Sequence, residues 1–211
     1  MKAKLGILCV VMGLGMLAAA LGLFLSNDRE QQLAQASVDT VMPQLVKAIH
    51  VRHEEPKAQP LAAVEEMPQI VPATRPRKTE MPVVAIDGED YVGFVAIPTL
   101  GLELPVTAKW SYTKLKYTPC RFTGDLYSDD LVIMAHNYDR HFGGLKDLRV
   151  GDSVTFTDMD GETVAYVVAA KDILDPNAVE EMTAGEYDLT LFTCTYGGEK
   201  RVTVRCDRVD E

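Results

Sequence analysis

The stretch TLFTCTYGGEKRVTVR, at residues 190–205, contains two alternating apolar and polar runs around a pair of glycines. Alternation with period two predicts β-strands, and glycines between such runs predict a hairpin because glycine accepts the positive φ angles of tight turns. With Gly197 and Gly198 as the two turn residues, Cys194 lies directly opposite Arg201. Directly opposed residues share a face, with Cβ atoms about 5 Å apart. The register therefore predicts a thiol beside a guanidinium at the mouth of a hairpin.

The other face of this hairpin is apolar. Its members are Leu189, Leu191, Val202, Val204 and Cys206. Such a set is suited to a hydrophobic core, which supports the strand assignment. A single bulge would change the register, so the pairing of Cys194 with Arg201 is conditional on an unbroken ladder.

Outward from the hairpin, the chain contains further short strand patterns. Strands are predicted at Tyr91–Ile97 and Leu102–Val106, in the apolar run Leu131–Ala135, and in two runs within Ser153–Ala170 around Asp160-Gly161. One or two helical turns are expected at Phe142–Leu148. Six to eight short strands with little helix predict a mainly β fold, a closed or nearly closed β-barrel.

The N-terminus predicts a membrane anchor. Lys2 and Lys4 precede an uncharged run at residues 5–25, and about 20 apolar residues span the hydrocarbon core of a bilayer. The end of the run makes a poor cleavage site, which favours an uncleaved signal anchor at residues 1–27 over a cleaved signal peptide. The lysines favour a cytoplasmic N-terminus, which places the rest of the chain outside the cell.

Residues 28–82 are expected to form a helical and Pro-rich extracellular linker. Residues 28–50 have helix formers with rough amphipathic spacing, interrupted at Pro43. Prolines then recur at Pro56, Pro60, Pro68, Pro72, Pro76 and Pro82. These features predict an extended spacer, with a pro-segment that covers the active site as the alternative. The globular domain is expected at residues 83–211.

Composition excludes several classes of function. The net charge of −10 argues against a nucleic-acid partner, and the chain has neither a Gly-rich phosphate loop nor zinc-ligand spacing. We expect no cofactor and no metal.

Glu180, Glu181 and Glu186 are interpreted as a solvated loop, with calcium binding as the alternative. Cys120 and Cys206 are expected to be buried free thiols, although a bridge between them stays open.

The residues predicted near Cys194 affect the reactivity of its thiol. A nearby arginine keeps its charge and favours the reactive thiolate over the thiol, whose ordinary pKa is about 8.5. His136 directly follows the apolar run LVIMA, where a buried strand emerges into a loop. Strand ends on rigid scaffolds often carry catalytic groups. His141 lies in a polar loop and is a weaker candidate for a catalytic group than His136.

These motifs resemble the sortase family. TLFTCTYGGEKRVTVR is similar to the family's TLxTC strand end with an arginine that opens the next strand. VIMAHNYDRHFGGLKDLRVGD, at residues 132–152, resembles the histidine segment, and YVGFVAIPTLGLELPV, at residues 91–106, the opening strands. Ala135 stands where a glycine is often found before the histidine. The subclass stays open, with class B-like and class D-like as the options.

The resemblance implies a cysteine transpeptidase with Cys194 as nucleophile, His136 as general acid and base, and Arg201 as the stabilising arginine. Arg201 is preferred to Arg205 or Arg208 because it alone opens the strand after the cysteine. The residues expected to support the site or contact substrate are Thr193, Asn137, Tyr138 and Tyr196. The implied partners are secreted proteins with an LPxTG-like C-terminal sorting signal and an amine acceptor, either a peptidoglycan precursor or a pilin lysine.

Other classes fit the residues less well. An L,D-transpeptidase would carry a histidine and a glycine shortly before the cysteine, and a papain-like protease would carry the cysteine on a helix. The alternative outside enzymes is a membrane-anchored β-barrel that serves as a binding or scaffold domain with inert thiols. Thiol reactivity separates this alternative from a transpeptidase, because a catalytic Cys194 reacts faster than Cys120 or Cys206.

Overall fold

The computed structural model describes residues 2–54 and 78–209. Most of the prolines expected to keep the linker extended lie outside the described residues. They are Pro56, Pro60, Pro68, Pro72 and Pro76. The predicted boundaries after residues 27 and 82 stay predictions.

The described residues form nine β-strands, three α-helices and two short 3₁₀ helices. The strands are β1 (Val84–Ile86), β2 (Glu89–Ile97), β3 (Leu102–Thr107), β4 (Cys120–Thr123), β5 (Leu131–Met134), β6 (Ser153–Asp158), β7 (Thr163–Leu174), β8 (Leu189–Cys194) and β9 (Arg201–Arg208). The helices are α1 (Lys2–Glu54), α2 (Tyr112–Leu115) and α3 (Val179–Met182), and the 3₁₀ helices are Pro98–Leu100 and Phe142–Asp147.

The strands form one sheet that closes on itself. Their order is β1-β2-β3-β4-β5-β8-β9-β7-β6, and β6 pairs in turn with β2. Strands β2 to β9 therefore make a closed eight-stranded barrel, and β1 extends the sheet beside the first residues of β2. Closure leaves the barrel strands without free edges. The predicted β-barrel is confirmed.

The hairpin β8–β9 contributes one face to the barrel core, as its alternation predicts. Leu189, Leu191, Val204 and Cys206 are fully buried there, and Val202 is nearly so. The opposite face of the central strands buries a smaller cluster, in which Phe192 packs with Val132 and Met182. Strand β5 is thus buried on both faces, which explains its continuous apolar run.

Helix α1 continues through Pro43, so the predicted interruption at that residue is wrong. Proline removes one backbone donor from a helix and usually kinks or ends it. Here the turns on either side are held against the barrel, because Val41 and Leu45 are buried in a cluster with Ile86, Tyr91 and Met159. Tertiary packing therefore offsets the local cost of the proline.

The first half of α1 lies away from the barrel. Its large apolar side chains are exposed from Val10 to Leu25. By length and composition the helix can cross a membrane. This is consistent with the predicted single-pass anchor.

Candidate active site

The hairpin places Cys194 opposite Arg201 at its open end. The register is Thr190 with Arg205, Phe192 with Thr203 and Cys194 with Arg201, which is the ladder that the alternation predicts. Both strands run without a bulge over these pairs. The Cys194 side chain is half-buried, so a substrate can reach it.

The turn that joins the two strands differs from the predicted one. Gly198 N–H donates to the Thr195 carbonyl at 2.8 Å, so Tyr196 and Gly197 are the central turn residues. The glycines at 197 and 198 both have positive φ, 88° and 80°. Thr195 still bonds Lys200 across the connection, and the longer loop therefore keeps the strand register unchanged.

His136 reaches this pair through a parallel contact between strands that are distant in sequence. Strands β5 and β8 are parallel neighbours, with Met134 beside Phe192. Ala135 N–H extends the ladder by donating to the Phe192 carbonyl at 3.2 Å. His136 lies two residues beyond Met134, and Cys194 lies two residues beyond Phe192. The two side chains therefore emerge at the ends of adjacent strands.

Two side-chain hydrogen bonds join the strand ends that carry His136 and Cys194. Thr193 Oγ1 donates to the Ala135 carbonyl at 2.8 Å, and Asn137 Nδ2 donates to the Thr195 carbonyl at 3.4 Å. The first of these bonds is buried. Each bond connects a residue next to Cys194 with a residue next to His136, so both fix the relative position of the two candidates.

The other two expected supporting residues differ in their surroundings. The Tyr138 ring stacks on the His136 ring, with centroids 4.9 Å apart and planes 29° apart. Tyr138 is 7% exposed and holds one face of the imidazole. Tyr196, in contrast, is fully exposed in the β8–β9 turn, where it contributes little to the arrangement of the other residues.

The loop after His136 folds back on itself. Phe142 N–H donates to the His136 carbonyl at 3.1 Å, and Gly143 N–H donates to the Tyr138 carbonyl at 3.0 Å. A Cβ atom on Gly143 would lie 2.7 Å from the carbonyl oxygens of Asn137 and Tyr138. Only glycine permits this close approach, so the FGG sequence shapes the histidine loop.

Burial lowers the pKa of His136 below its ordinary value of 6.5. The Glu30 carboxylate opposes this effect, and the Lys116 ammonium adds to it. The resting ring is therefore mainly neutral at pH 7. Glu30 lies in α1, within the segment that the sequence analysis assigned to the linker, and the local motifs carry no sign of its proximity.

His141 is fully buried, and its pKa is lowered to about 4 by burial and by His136. Its ring also packs against Tyr138, with centroids 5.6 Å apart. His141 is therefore neutral under ordinary conditions and lies beneath the site. This position agrees with the interpretation of His141 as a weaker catalytic candidate than His136.

Arg201 and Arg205 lie on the same strand in different environments. Arg201 Nη1 donates to the carbonyls of Gly198 and Lys200, at 3.0 and 3.1 Å. Arg205 is 6% exposed, and its guanidinium bonds the carbonyls of Met182 and Glu181 and the hydroxyl of Thr190. Arg201 is thus accessible beside Cys194, whereas Arg205 holds the α3 segment against the sheet.

Two further cysteines, Cys120 and Cys206, are free and buried. Cys120 and Cys206 form no bridge. Burial raises the pKa of both thiols, that of Cys206 to about 12. Within residues 2–54 and 78–209, no group of three or more His, Cys, Asp or Glu side chains is arranged to hold a metal ion.

Comparison with known proteins identifies the family. The sequence model of the sortase domain matches residues 95–209, more than half of the chain. The chain belongs to the sortase family. Family membership makes it a cysteine transpeptidase, and the matched range contains His136, Cys194 and Arg201. No curated protein matches this sortase significantly over its sequence.

Solved structures similar to this sortase come from several subclasses. Sortase C1 from Streptococcus agalactiae is 28% identical with a TM-score of 0.52, over 60% of this chain and 72% of that one. Sortase C1 from Streptococcus suis is also 28% identical with a TM-score of 0.50, over 57% and 74%. The sortase D5 transpeptidase from Clostridium perfringens is 17% identical with a TM-score of 0.51, over 57% and 79%, and shows the fold alone. The subclass stays open.

Proposed function

We propose that this sortase cleaves an LPxTG-like sorting signal near the C-terminus of secreted proteins and transfers them to an amine. The proposal rests on one arrangement in a member of the sortase family: Cys194 opposite Arg201, with His136 at the end of the adjacent strand. The acceptor amine belongs to a peptidoglycan precursor or to a pilin lysine.

In the first half-reaction the Cys194 thiolate attacks the scissile carbonyl carbon of the sorting signal. The tetrahedral oxyanion forms beside Arg201, where N–H donors on Nε and Nη2 are available in addition to the Nη1 donors bound to the turn. The C–N bond then breaks, and His136 gives its proton to the departing amine. A thioester with Cys194 and a neutral His136 remain.

In the second half-reaction an acceptor amine attacks the thioester carbonyl, and His136 takes a proton from it. Collapse expels the Cys194 thiolate and leaves a new amide bond. The productive resting form is a thiolate with an imidazolium. Because burial lowers the pKa of His136, this form is a minor population at neutral pH, and it carries the flux.

The same proposal covers location. The exposed apolar half of α1 crosses the cell membrane through residues 5–25, with Lys2 and Lys4 on the cytoplasmic side. The barrel then lies outside the cell, where secreted proteins and cell-wall precursors are found. A single-pass anchor of this kind keeps the enzyme at the surface where its substrates emerge.

The test is turnover of quenched fluorescent LPxTG-type peptides by the full chain in detergent micelles, with and without an added amine. We expect cleavage that shifts to a ligated product with amine, is abolished in Cys194→Ala and is retained in the matched control Cys120→Ala. A parallel alkylation experiment followed by mass spectrometry should modify Cys194 well before Cys120 or Cys206, because burial raises the pKa of those two thiols.

The outcomes separate the candidate functions. No turnover across a varied panel of motifs, together with an unreactive Cys194, would favour the alternative of a non-catalytic membrane-anchored binding or scaffold barrel. No turnover with a fast-reacting Cys194 would mean that the chemistry is right and the sorting motif is wrong. Turnover that survives Cys194→Ala would reject the assigned nucleophile.

A further inference from the structure

The second half of α1 packs on the barrel as a fixed element. Ala34 and Leu45 are fully buried, and Val38 and Val41 are nearly so. Their spacing of four, three and four residues makes one apolar stripe along the helix. Val38 joins the barrel core itself. The backbone of the preceding turn is therefore held close to the barrel, although the side chain of residue 30 in that turn is exposed.

Glu30 lies one turn before Ala34 and contacts the loop that follows His136. Tyr138 Oη donates to Glu30 Oε2 at 3.3 Å, and Asp139 N–H donates to Gln31 Oε1 at 3.3 Å. Because the Tyr138 ring stacks on His136, a chain of contacts runs from Glu30 through Tyr138 to the imidazole.

Several other charged or titratable groups face His136. They are Lys116 after α2, and Tyr138 and His141 in its own loop. Cys194 and Arg201 lie at the end of the adjacent hairpin. Lys116 disfavours the imidazolium, and so does the burial of the ring. His141 is neutral near pH 7 because its own pKa is about 4. Glu30 is the group that counteracts them by favouring the charged ring.

We infer that Glu30 is a positioning residue for the proposed reaction: acting through Tyr138, it orients the His136 ring and favours its protonated form. The inference rests on the proposed function for its catalytic meaning, but the contact itself does not depend on the substrate. It assigns part of the active site to α1, the helix that also carries the apolar membrane segment.

The first test follows the titration of His136 in the full chain in detergent micelles, by NMR of ¹³Cε1-labelled histidine. The chain has four histidines, so single variants assign the signals. Loss of a nearby negative charge disfavours the imidazolium, and we expect Glu30→Gln to lower the His136 pKa by up to about one unit. Tyr138→Phe releases Glu30, so in that background Glu30→Gln should have a smaller effect.

Two variants serve as matched controls. Asp28→Asn removes the same charge two residues away, where the carboxylate accepts only the Gln32 amide within the helix. Arg52→Gln removes another contact of α1 with the barrel, the bond to Asp160 at 2.8 Å, which is remote from His136. Both should leave the His136 titration close to that of the parent chain. A Glu30→Gln shift no larger than that of Asp28→Asn, or additive effects of Glu30→Gln and Tyr138→Phe, would overturn the inference.

The second test uses the peptide reaction. Glu30→Gln should move the acid limb of the kcat/KM profile to lower pH and reduce kcat by roughly three- to tenfold with KM little changed, a fraction of the ~10²–10⁴-fold that a positioned proton-transfer group supplies. Glu30→Asp should recover part of the rate. A loss that appears in KM alone would contradict a positioning role. If the parent chain cleaves no peptide, the proposed LPxTG-like specificity fails, while the NMR titration still decides whether Glu30 acts on His136.

Discussion

At the scale of single residues, two arginines on β9 show how position on one strand separates two roles. Arg201 and Arg205 are four residues apart and lie on the same face of the hairpin. Arg201 is at the open end, with its guanidinium against the turn. Arg205 is buried beside α3, within 3.4 Å of Asp172, and it bonds the buried carbonyl of Met182 and the partly buried carbonyl of Glu181. The sequence motif favours Arg201, and the burial of Arg205 gives an independent reason.

We therefore expect opposite effects from the two alanine variants. Arg201→Ala should lower kcat/KM by about 10²–10³ while the unfolding midpoint changes little, since the lost groups are the proposed oxyanion donors. Arg205→Ala should lower the free energy of unfolding by about 3 kcal/mol, because it leaves the buried carbonyl oxygen of Met182 unpaired. Peptide turnover and thermal unfolding of the same preparations check both. Equal activity losses without a stability loss in Arg205→Ala would contradict this division.

At the scale of elements, the closure of the barrel depends on the strand β2. It pairs with β3 on one edge and with β6 on the other. Gly93 lies at the register shift in the β2–β3 ladder and has a φ of 149°. A Cβ atom at this position would lie 2.0 Å from the Thr157 carbonyl oxygen on β6. The glycine within the apolar run YVGFVAI is thus required by the approach of a neighbouring backbone.

Gly93→Ala should destabilise the protein by about 3 kcal/mol or more, since the added methyl group meets backbone that cannot move without breaking the β2–β6 ladder. Gly101→Ala is the matched control. Gly101 also has a positive φ, 63°, but a Cβ there meets open space, so a cost of about 1–2 kcal/mol is expected. Thermal unfolding of the full chain in detergent measures both. Equal costs would show that the β2–β6 contact is not what requires glycine at 93.

At the scale of the whole molecule, a charged cluster fastens separate parts of the chain to the β6–β7 turn. Lys78, which precedes β1, lies 2.9 Å from Asp160 and 3.1 Å from Glu162. Arg52 of α1 reaches the same Asp160 at 2.8 Å. Burial raises the pKa of both carboxyl groups. The bonds of Asp160 with Lys78 and Arg52, and those of Glu162 with Lys78 and Tyr127, outweigh this effect, so both pKa values are lowered.

This cluster predicts a loss of stability in acid. When folding lowers the pKa of a carboxyl group, that group stabilises the native state at every pH above its pKa in the unfolded chain. This contribution is lost as the pH falls through the lowered pKa of the folded state. In the unfolded chain the pKa values of Asp160 and Glu162 are near 3.8 and 4.5. The unfolding temperature should therefore decrease as the pH is lowered from about 5. Lys78→Met should weaken this dependence. The control Lys146→Met removes only exposed contacts, with Asp147 and with the Gly143 carbonyl, and should leave the dependence unchanged. An unchanged slope in Lys78→Met would contradict the prediction.

The sequence by itself determined what depends on neighbouring residues. The period-two alternation in residues 189–206 sets the β8–β9 ladder, the core face of the hairpin and the pairing of Cys194 with Arg201. The length and apolarity of residues 5–25 likewise determine a helix that can cross a membrane. Such features follow from the local geometry of strands and helices, which a short stretch of chain already fixes.

Only the tertiary structure decided the contacts between segments that are distant in sequence. The parallel pairing of β5 with β8 brings His136 beside the hairpin, and the packing of α1 brings Glu30 to Tyr138 and carries the helix through Pro43. No local rule states which strand pairs with which, or which face of a barrel a helix covers. Those choices minimise the free energy of the whole chain, because burial of apolar surface and closure of the sheet involve all strands together.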